Sequence, residues 1–368
     1  MPADLIRVVV AAGARPNFMK VAPLMLAFDA RPETFETTLV HTGQHYDNSM
    51  SDVFFSDLKL RAPDAYLGAG SGTHGEQTAA VLVTFEKLLE PNPPDIVLVT
   101  GDVNSTLAAS LAARKMDVPV GHVEAGLRSR NWLMPEETNR ILTDVISDYL
   151  FTPSADADKN LKAEGIASER IHRVGNIMID SLERAKDEAR RRRTAAGLNL
   201  QPGNYGLITL HRPSNIDNPE KLRAILDVVQ KTIPHAVFPV HPRTRKQIDE
   251  LSEAGLAVSD NIVLVEPIGY YDFLSLMMDS QFVLTDSGGI QEETTYLGIP
   301  CMTLRDETER PITISEGTNE LVTLETLEEA VDKVRRGDWK AGRVPELWDG
   351  RTAERIVDML APGIERRL

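Results

Sequence analysis

Cysteine is nearly absent from this chain: Cys301 is the only one among 368 residues. No internal disulfide and no zinc cage of cysteine pairs can therefore form. Cys301 lies in the apolar stretch Ile299 to Leu304, where a buried structural thiol is expected rather than a nucleophile. Basic charge is also in deficit, with 40 Lys and Arg against 55 Asp and Glu and a net charge of −15. That balance excludes a surface built to grip nucleic acid or anionic lipid and leaves room for a local pocket around one phosphorylated ligand. No stretch approaches the ~18 uninterrupted apolar residues of a membrane span, and Met1 to Arg7 lacks the basic flank and apolar core of a signal peptide. A cytoplasmic, reducing compartment is the expectation. Low-complexity segments are missing too, and 42% hydrophobic with 26% charged residues is the make-up of a chain that folds throughout.

What is present is alternation. Apolar, β-branched runs bounded by turn residues occur at Ile6 to Ala11, Thr37 to Thr42, Asp95 to Thr100, Val118 to His122, Tyr149 to Thr152 and Ile171 to Val174, with helix-like periodicity between most of them. Strand, helix and strand in turn predict a parallel sheet covered on both faces, a doubly wound domain. After the helical stretch Asp180 to Arg193 and the turn-rich Gln201 to Asn204 the pattern restarts. Its second set of runs is Tyr205 to Leu210, Ala236 to Pro239, Ile262 to Val265, Phe282 to Thr285 and Pro300 to Leu304. A chain of 368 residues also exceeds one ordinary core. The fold class expected is α/β, with a first domain over 1–176, a second over 177–350, a cleft between them, and a last helix within about 351–368 packing back on the first domain.

Two features are set aside. Gly70 to Gly75 spell G-S-G-T-H-G, but a dinucleotide fingerprint needs a strand running straight into the glycines, and Pro63, Asp64 and Gly68 make a poor strand. They read as a loop leading into a helix that begins near Glu76, a loop able to close over substrate. Arg190 to Arg193 share their helix with Glu183, Asp187 and Glu188, which is the make-up of a solvated face.

The chemistry-bearing residues cluster at strand ends. The first strand runs into Gly13 to Lys20, presenting Arg15 and Lys20 at the edge where α/β folds bind anions. In Leu284 to Glu293 a buried strand breaks at Ser287-Gly288-Gly289 and a helix starts, offering free N–H groups to a phosphate, with Glu293 as a candidate grip on ribose hydroxyls. Carboxylates stand at Asp102, at Glu124 within Gly121 to Arg128, and at Glu136 within Pro135 to Arg140, a supply suited to proton transfer or, for each alone, to capping and ion pairing. His211 follows its strand rather than sitting within it, the position of a site histidine.

Together these motifs resemble the non-hydrolysing UDP-N-acetylglucosamine 2-epimerases, with matches from Gly13 to Arg310 that include T-G-Q-H at Thr42 to His45, H-V-E-A-G-L-R, P-E-E-x-N-R and L-T-D-S-G-G-I-Q-E-E. The resemblance implies two Rossmann-like domains of the GT-B-like kind, a homodimer, a UDP-N-acetylhexosamine substrate, and catalysis with neither NAD nor a metal. It implies roles in holding UDP or its sugar for Arg15, Lys20, Arg140, His211, Phe273, Ser287, Gly288, Gly289, Glu293 and Arg310, and in catalysis for Asp102, Glu124, Glu136 and His211. In such enzymes UDP departs from C1, the C2 hydrogen becomes acidic, a 2-acetamidoglucal forms, and proton return on the other face with readdition of UDP gives the epimer.

The chain departs from the commonest family pattern at Ala14, Asn17 and Val103-Asn104-Ser105. Of the second, activating sugar-nucleotide site known in bacterial members, Gln44 and His45 match while Asp47 and Ser71 to His74 do not. A hydrolysing epimerase, an epimerase of a modified UDP-hexosamine, a GT-B glycosyltransferase and an inactive UDP-sugar-binding protein are the competing readings, separable by product analysis without an acceptor.

Overall fold

A strand buried on both faces must be apolar along its whole length, and the unbroken apolar runs of this sequence become such strands. In the computed structural model, which describes residues 5–13, 15–43, 60–253 and 258–364, the chain divides into two units, one of Met1–Ser181 with Glu346–Leu368 and the other of Leu182–Pro345.

Among the described residues the first unit holds a seven-stranded sheet ordered β3-β2-β1-β4-β5-β6-β7. The strands are β1 (Ile6–Ala12), β2 (Phe35–His41), β3 (Ala65–Tyr66), β4 (Ile96–Thr100), β5 (Val120–Val123), β6 (Tyr149–Thr152) and β7 (Ile171–Arg173), all paired in parallel. All five residues of β4 are buried. Helices α1 (Arg15–Asp29), α2 (His74–Leu89), α3 (Asn104–Lys115), α4 (Pro135–Ile146) and α5 (Ala155–Ala163) cover the sheet. Helix α3 carries Ala108, Ala109, Ala112 and Ala113 on its buried side, small residues that allow close packing under α2.

In the second unit the order is β10-β9-β8-β11-β12-β13, again parallel, with β8 (Gly206–Thr209), β9 (Ala236–Pro239), β10 (Ile262–Val265), β11 (Phe282–Thr285), β12 (Cys301–Leu304) and β13 (Asn319–Val322). Helix α6 (Ile177–Arg192) spans the division, and α7 (Thr194–Gly197), α8 (Pro213–Ile216), α9 (Pro219–Thr232), α10 (Pro242–Glu253), α11 (Tyr270–Asp279), α12 (Gly288–Leu297), α13 (Ile312–Ser315) and α14 (Leu327–Arg336) follow. One apolar cluster of this unit gathers Ile208, Leu226, Phe238, Leu284, Met302 and Val331 from strands and helices alike. Cys301 is buried in β12, and burial lifts its thiol to about 11, so it is the inert packing residue its surroundings suggested.

The final helix, α15 (Thr352–Leu360), returns to the first unit and packs on α1. Its N-terminus is satisfied by Asp180 of α6, whose carboxylate accepts the Thr352 N–H at 3.1 Å and the Ala353 N–H at 2.8 Å.

Three expectations need correction. Helix α2 starts at His74 rather than near Glu76, because Thr73 and Glu76 form a reciprocal capping box ahead of it. The segment before Gly70 does contribute a strand, the two-residue β3, held by register with β2 at Val40↔Ala65. Helix α6 begins at Ile177 rather than Asp180, since the Asn176 side chain accepts the Met178 N–H at 2.9 Å and caps it.

Candidate functional site

In both sheets the strand order reverses once, between β1 and β4 and between β8 and β11, and ligands of open α/β sheets bind outside the carboxyl ends of the strands at such points. The first unit concentrates acids there. Asn17, in the first turn of α1, is buried and donates to the Thr100 carbonyl at 2.7 Å and to Thr100 Oγ1 at 3.1 Å, fastening the helix to the end of β4. One turn on, Lys20 forms an ion pair with Glu124, which follows β5. Gly101 makes room for this pair: its φ is +68°, and a Cβ there would stand 2.9 Å from Lys20 Nζ. Glu124 itself holds φ at 75°, a left-handed conformation that costs a non-glycine residue roughly 1–2 kcal/mol.

Asp102, half-buried, lies 2.7 Å from Arg140 of α4, and Asn139 of the same helix donates to the Asp102 carbonyl at 2.9 Å. Arg140 also pairs with Glu137 at 2.6 Å. Burial alone would push the Glu137 carboxyl up, but bonds from the Ser129 and Arg130 amides, the Ser129 hydroxyl and Arg140 outweigh it and hold it below its usual value. Glu137 is thus a structural anchor of α4. Glu136 beside it is half-buried, and its side chain makes no hydrogen bond or ion pair among the described residues.

The second unit concentrates cations and open N–H groups. Ser287 stands at the N-cap of α12 without capping it through its side chain, and Gly288 and Gly289 form the first turn, so no side chain of the cap covers the helix start. A Cβ on Gly288 would come 2.3 Å from Arg310 Nη1 and 2.6 Å from Glu309 Oε1, so glycine permits that close approach. Arg310 pairs with Glu309 and lies 2.9 Å from Glu292; Arg305 is 2.8 Å from Glu309, and Arg212 is 3.9 Å from it. Burial, with Arg305 nearby, pulls the Arg212 guanidinium below its usual value, the mark of cations gathered in a confined space.

Asp286 is buried beneath this edge and organises it. Its carboxylate accepts the His211 N–H at 3.1 and 3.2 Å, the Arg212 N–H at 3.0 Å and the Asn215 side-chain amide at 3.0 Å, and lies 3.1 Å from His211 Nδ1. Burial raises its carboxyl, but His211 and these bonds prevail and hold it below the ordinary carboxylate value. The His211 side chain is 58% exposed and so available to a ligand. Glu293 is buried and accepts the Tyr270 hydroxyl at 2.6 Å; burial lifts its carboxyl to about 7. Phe273 is half-buried against the Leu207 and Val283 cluster.

Within the first unit the fold brings together Lys20, Asp102, Glu124 and Arg140, and within the second His211, Ser287, Gly288, Gly289 and Arg310. The Arg15 side chain, Ala14, Gln44, His45 and Asp47 lie outside the described residues. The departures at Asn17 and Asn104-Ser105 face inward: Asn17 binds Thr100, Asn104 binds Gln77 at 2.9 Å, and Ser105 meets Thr42 at 2.8 Å. Sequence reading missed Asp286, Arg212 and Arg305. Asp286 carried a signal, being the residue between a buried strand and the Ser-Gly-Gly turn; the two arginines carried none until Glu309 gathered them.

The family model for UDP-N-acetylglucosamine 2-epimerase matches residues 27–361. The UDP-N-acetylglucosamine 2-epimerase of Methanocaldococcus jannaschii is 41% identical over 366 residues, covering 95% of this chain and 98% of its own. The UDP-2,3-diacetamido-2,3-dideoxy-D-glucuronate 2-epimerase of Pseudomonas aeruginosa is 44% identical over 315 residues, 84% of this chain and 86% of its own. A crystal structure of the M. jannaschii enzyme in complex with UDP-GlcNAc and UDP aligns with a TM-score of 0.87 at 40% identity over 97% of this chain and 100% of that one. With two parallel, doubly wound, Rossmann-like sheets of the GT-B-like kind and a matching family model across most of its length, this chain belongs to the UDP-N-acetylglucosamine 2-epimerase family.

Proposed function

We propose that this chain reversibly inverts C2 of UDP-N-acetylglucosamine to give UDP-N-acetylmannosamine, by anti elimination of UDP to a 2-acetamidoglucal and readdition, without NAD or a metal and as a cytoplasmic homodimer. The observation that carries the reading is the pair of carboxylates at the ends of adjacent strands, Asp102 after β4 and Glu124 after β5, each with its own cation, Arg140 and Lys20. The C2 hydrogen of an intact sugar nucleotide is too weakly acidic to be removed directly. Loss of UDP from C1 gives that carbon oxocarbenium character and acidifies its neighbour, so a carboxylate can take the proton. Inversion then needs an acid on the opposite face, and Asp102, Glu124 and Glu136 supply the groups. His211, Arg310 and the N–H groups of Ser287 to Gly289 stabilise the departing diphosphate, Arg15 and Lys20 hold the sugar, and Phe273 and Glu293 hold the nucleoside.

A second reading, epimerisation of a UDP-hexosamine modified at C3 or C6, is favoured by the 44% identity to an enzyme named for a 2,3-diacetamido uronic acid substrate. One experiment tests both: each UDP-sugar is incubated with the protein in deuterated water and followed by proton NMR. Epimer carrying deuterium at C2 with UDP retained is the expected result for the true substrate. Free UDP with N-acetylmannosamine would mean hydrolysis, and absence of exchange with either sugar would sink the epimerase mechanism.

A further inference from the structure

His122 lies on β5, two residues before Glu124, and is fully buried. Its Nε2 is 2.8 Å from the Gly101 carbonyl oxygen, at the turn that carries Asp102, and its Nδ1 is 2.6 Å from Asp144 Oδ1 on α4. The other oxygen of Asp144 accepts the Gly126 N–H at 3.0 Å and lies 2.7 Å from Arg128. Arg128 in turn donates to Glu164 at 2.9 and 2.7 Å, so the charges beneath the acid cluster are paired off. Burial would raise the Asp144 carboxyl, but His122 and Arg128 outweigh it and keep it below the ordinary value. The Gly101 carbonyl oxygen and Asp144 Oδ1 thus stand within hydrogen-bond distance of the ring, one at each nitrogen.

One imidazole thus fixes the turn after β4, Gly101–Asp102, and, through Asp144, the turn after β5, Glu124–Gly126, to a single point on α4. The same helix carries Glu136, and Arg140 paired to Asp102. We propose that His122, backed by Asp144, is a positioning residue for the epimerisation, setting the spacing of the two strand-end turns that carry Asp102 and Glu124. This rests on the reading that those carboxylates move the protons at C2. A proton-transfer geometry displaced by about 1 Å can lose about 100-fold in rate, whereas the proposed diphosphate cradle of Ser287 to Arg310 belongs to the other unit.

The test is His122→Gln and His122→Phe, with kcat and KM from C2 deuterium incorporation, UDP affinity from calorimetry and folding from circular dichroism. The expected result is folded protein with kcat down about 10- to 100-fold, KM and UDP affinity within about threefold, and the glutamine variant, which keeps one donor, losing less than phenylalanine. Folded variants with undiminished kcat, or with a loss of kcat matched by a loss of UDP affinity, would overturn the proposal. If neither variant folds, wild-type protein with 15N-labelled histidine decides: a buried ring with a slowly exchanging N–H proton close to Gly101 or Asp144 supports the clamp, and no such ring refutes it. That spectrum is read on the wild type whether or not it turns over either UDP-sugar, so failure of the epimerase reading and failure of the clamp register separately.

Discussion

Glu124 holds its side chain in the site through a backbone conformation that other residue types adopt with less strain, φ 75° at a position buried against Lys20. Such strain persists where the surroundings over-determine it, and here Lys20 and the β5 turn do so. Glu124→Gln keeps the size and the turn while removing the proton acceptor. Deuterium incorporation at C2 should fall about 100- to 10,000-fold with UDP affinity unchanged; a loss below tenfold would remove Glu124 from the proton-transfer step. Glu293 makes a different prediction. Burial raises its carboxyl from an ordinary 4.5 to about 7, so the folded state binds the proton more tightly than the unfolded one. Its contribution to stability is therefore complete below pH 4.5 and is lost as the pH rises through about 7, an effect on the order of 3 kcal/mol. Glu293→Gln, which still accepts the Tyr270 hydroxyl, should flatten that fall. Urea unfolding across this interval checks it, and parallel curves for the two proteins would count against the burial argument.

Element ends, more than element interiors, decide what this protein can bind. The first turn of α12 is built of Gly288 and Gly289 with no side-chain cap, and Arg310 and Glu309 pack where a Gly288 side chain would go. Those contacts are the flexible ends of side chains, so Gly288→Ala should fold, displace Arg310 and weaken UDP binding about 10- to 100-fold by calorimetry, the loss of one charge-assisted contact. Binding at wild-type strength would mean the helix start does not take the diphosphate. The N-terminus of α15 is satisfied by Asp180. Asp180→Ala strips two buried N–H groups of their acceptor and should lower stability by about 1–3 kcal/mol, read as an earlier thermal transition.

The strands were legible in the sequence where both faces are buried, as for Phe282–Thr285, Ala236–Pro239 and Ile96–Thr100. Two edge strands were not. Asn319–Val322 opens with a buried polar residue and a half-exposed glutamate, and Ala65–Tyr66 is too short to show any period. The candidate acids could be found because each follows a strand. Their partners could not: Lys20 meets Glu124 across 104 positions and Arg140 meets Asp102 across 38, distances that no local pattern encodes.

At the scale of the whole molecule, a chain of net charge −15 must gather its cations where an anion is to be held. The second unit gathers Arg212, Arg305 and Arg310 and the first holds the paired carboxylates; in the proposed function the former serve the leaving group and the latter the reacting carbon. That division of labour can be read by hydrogen exchange. A ligand at about 100 times its Kd stabilises the state it binds by about 2.7 kcal/mol, which slows exchange about 100-fold for amides that open with the site. UDP alone should protect the turn from Thr285 to Ile290 and leave Gly101–Asp102 and Glu124–Gly126 as they are in the free protein. UDP-N-acetylglucosamine should protect all three segments, because only the sugar reaches the carboxylates. Equal protection of the first-unit turns by UDP alone would show that the nucleotide is held there as well, and the assignment of the diphosphate to the second unit would have to be abandoned.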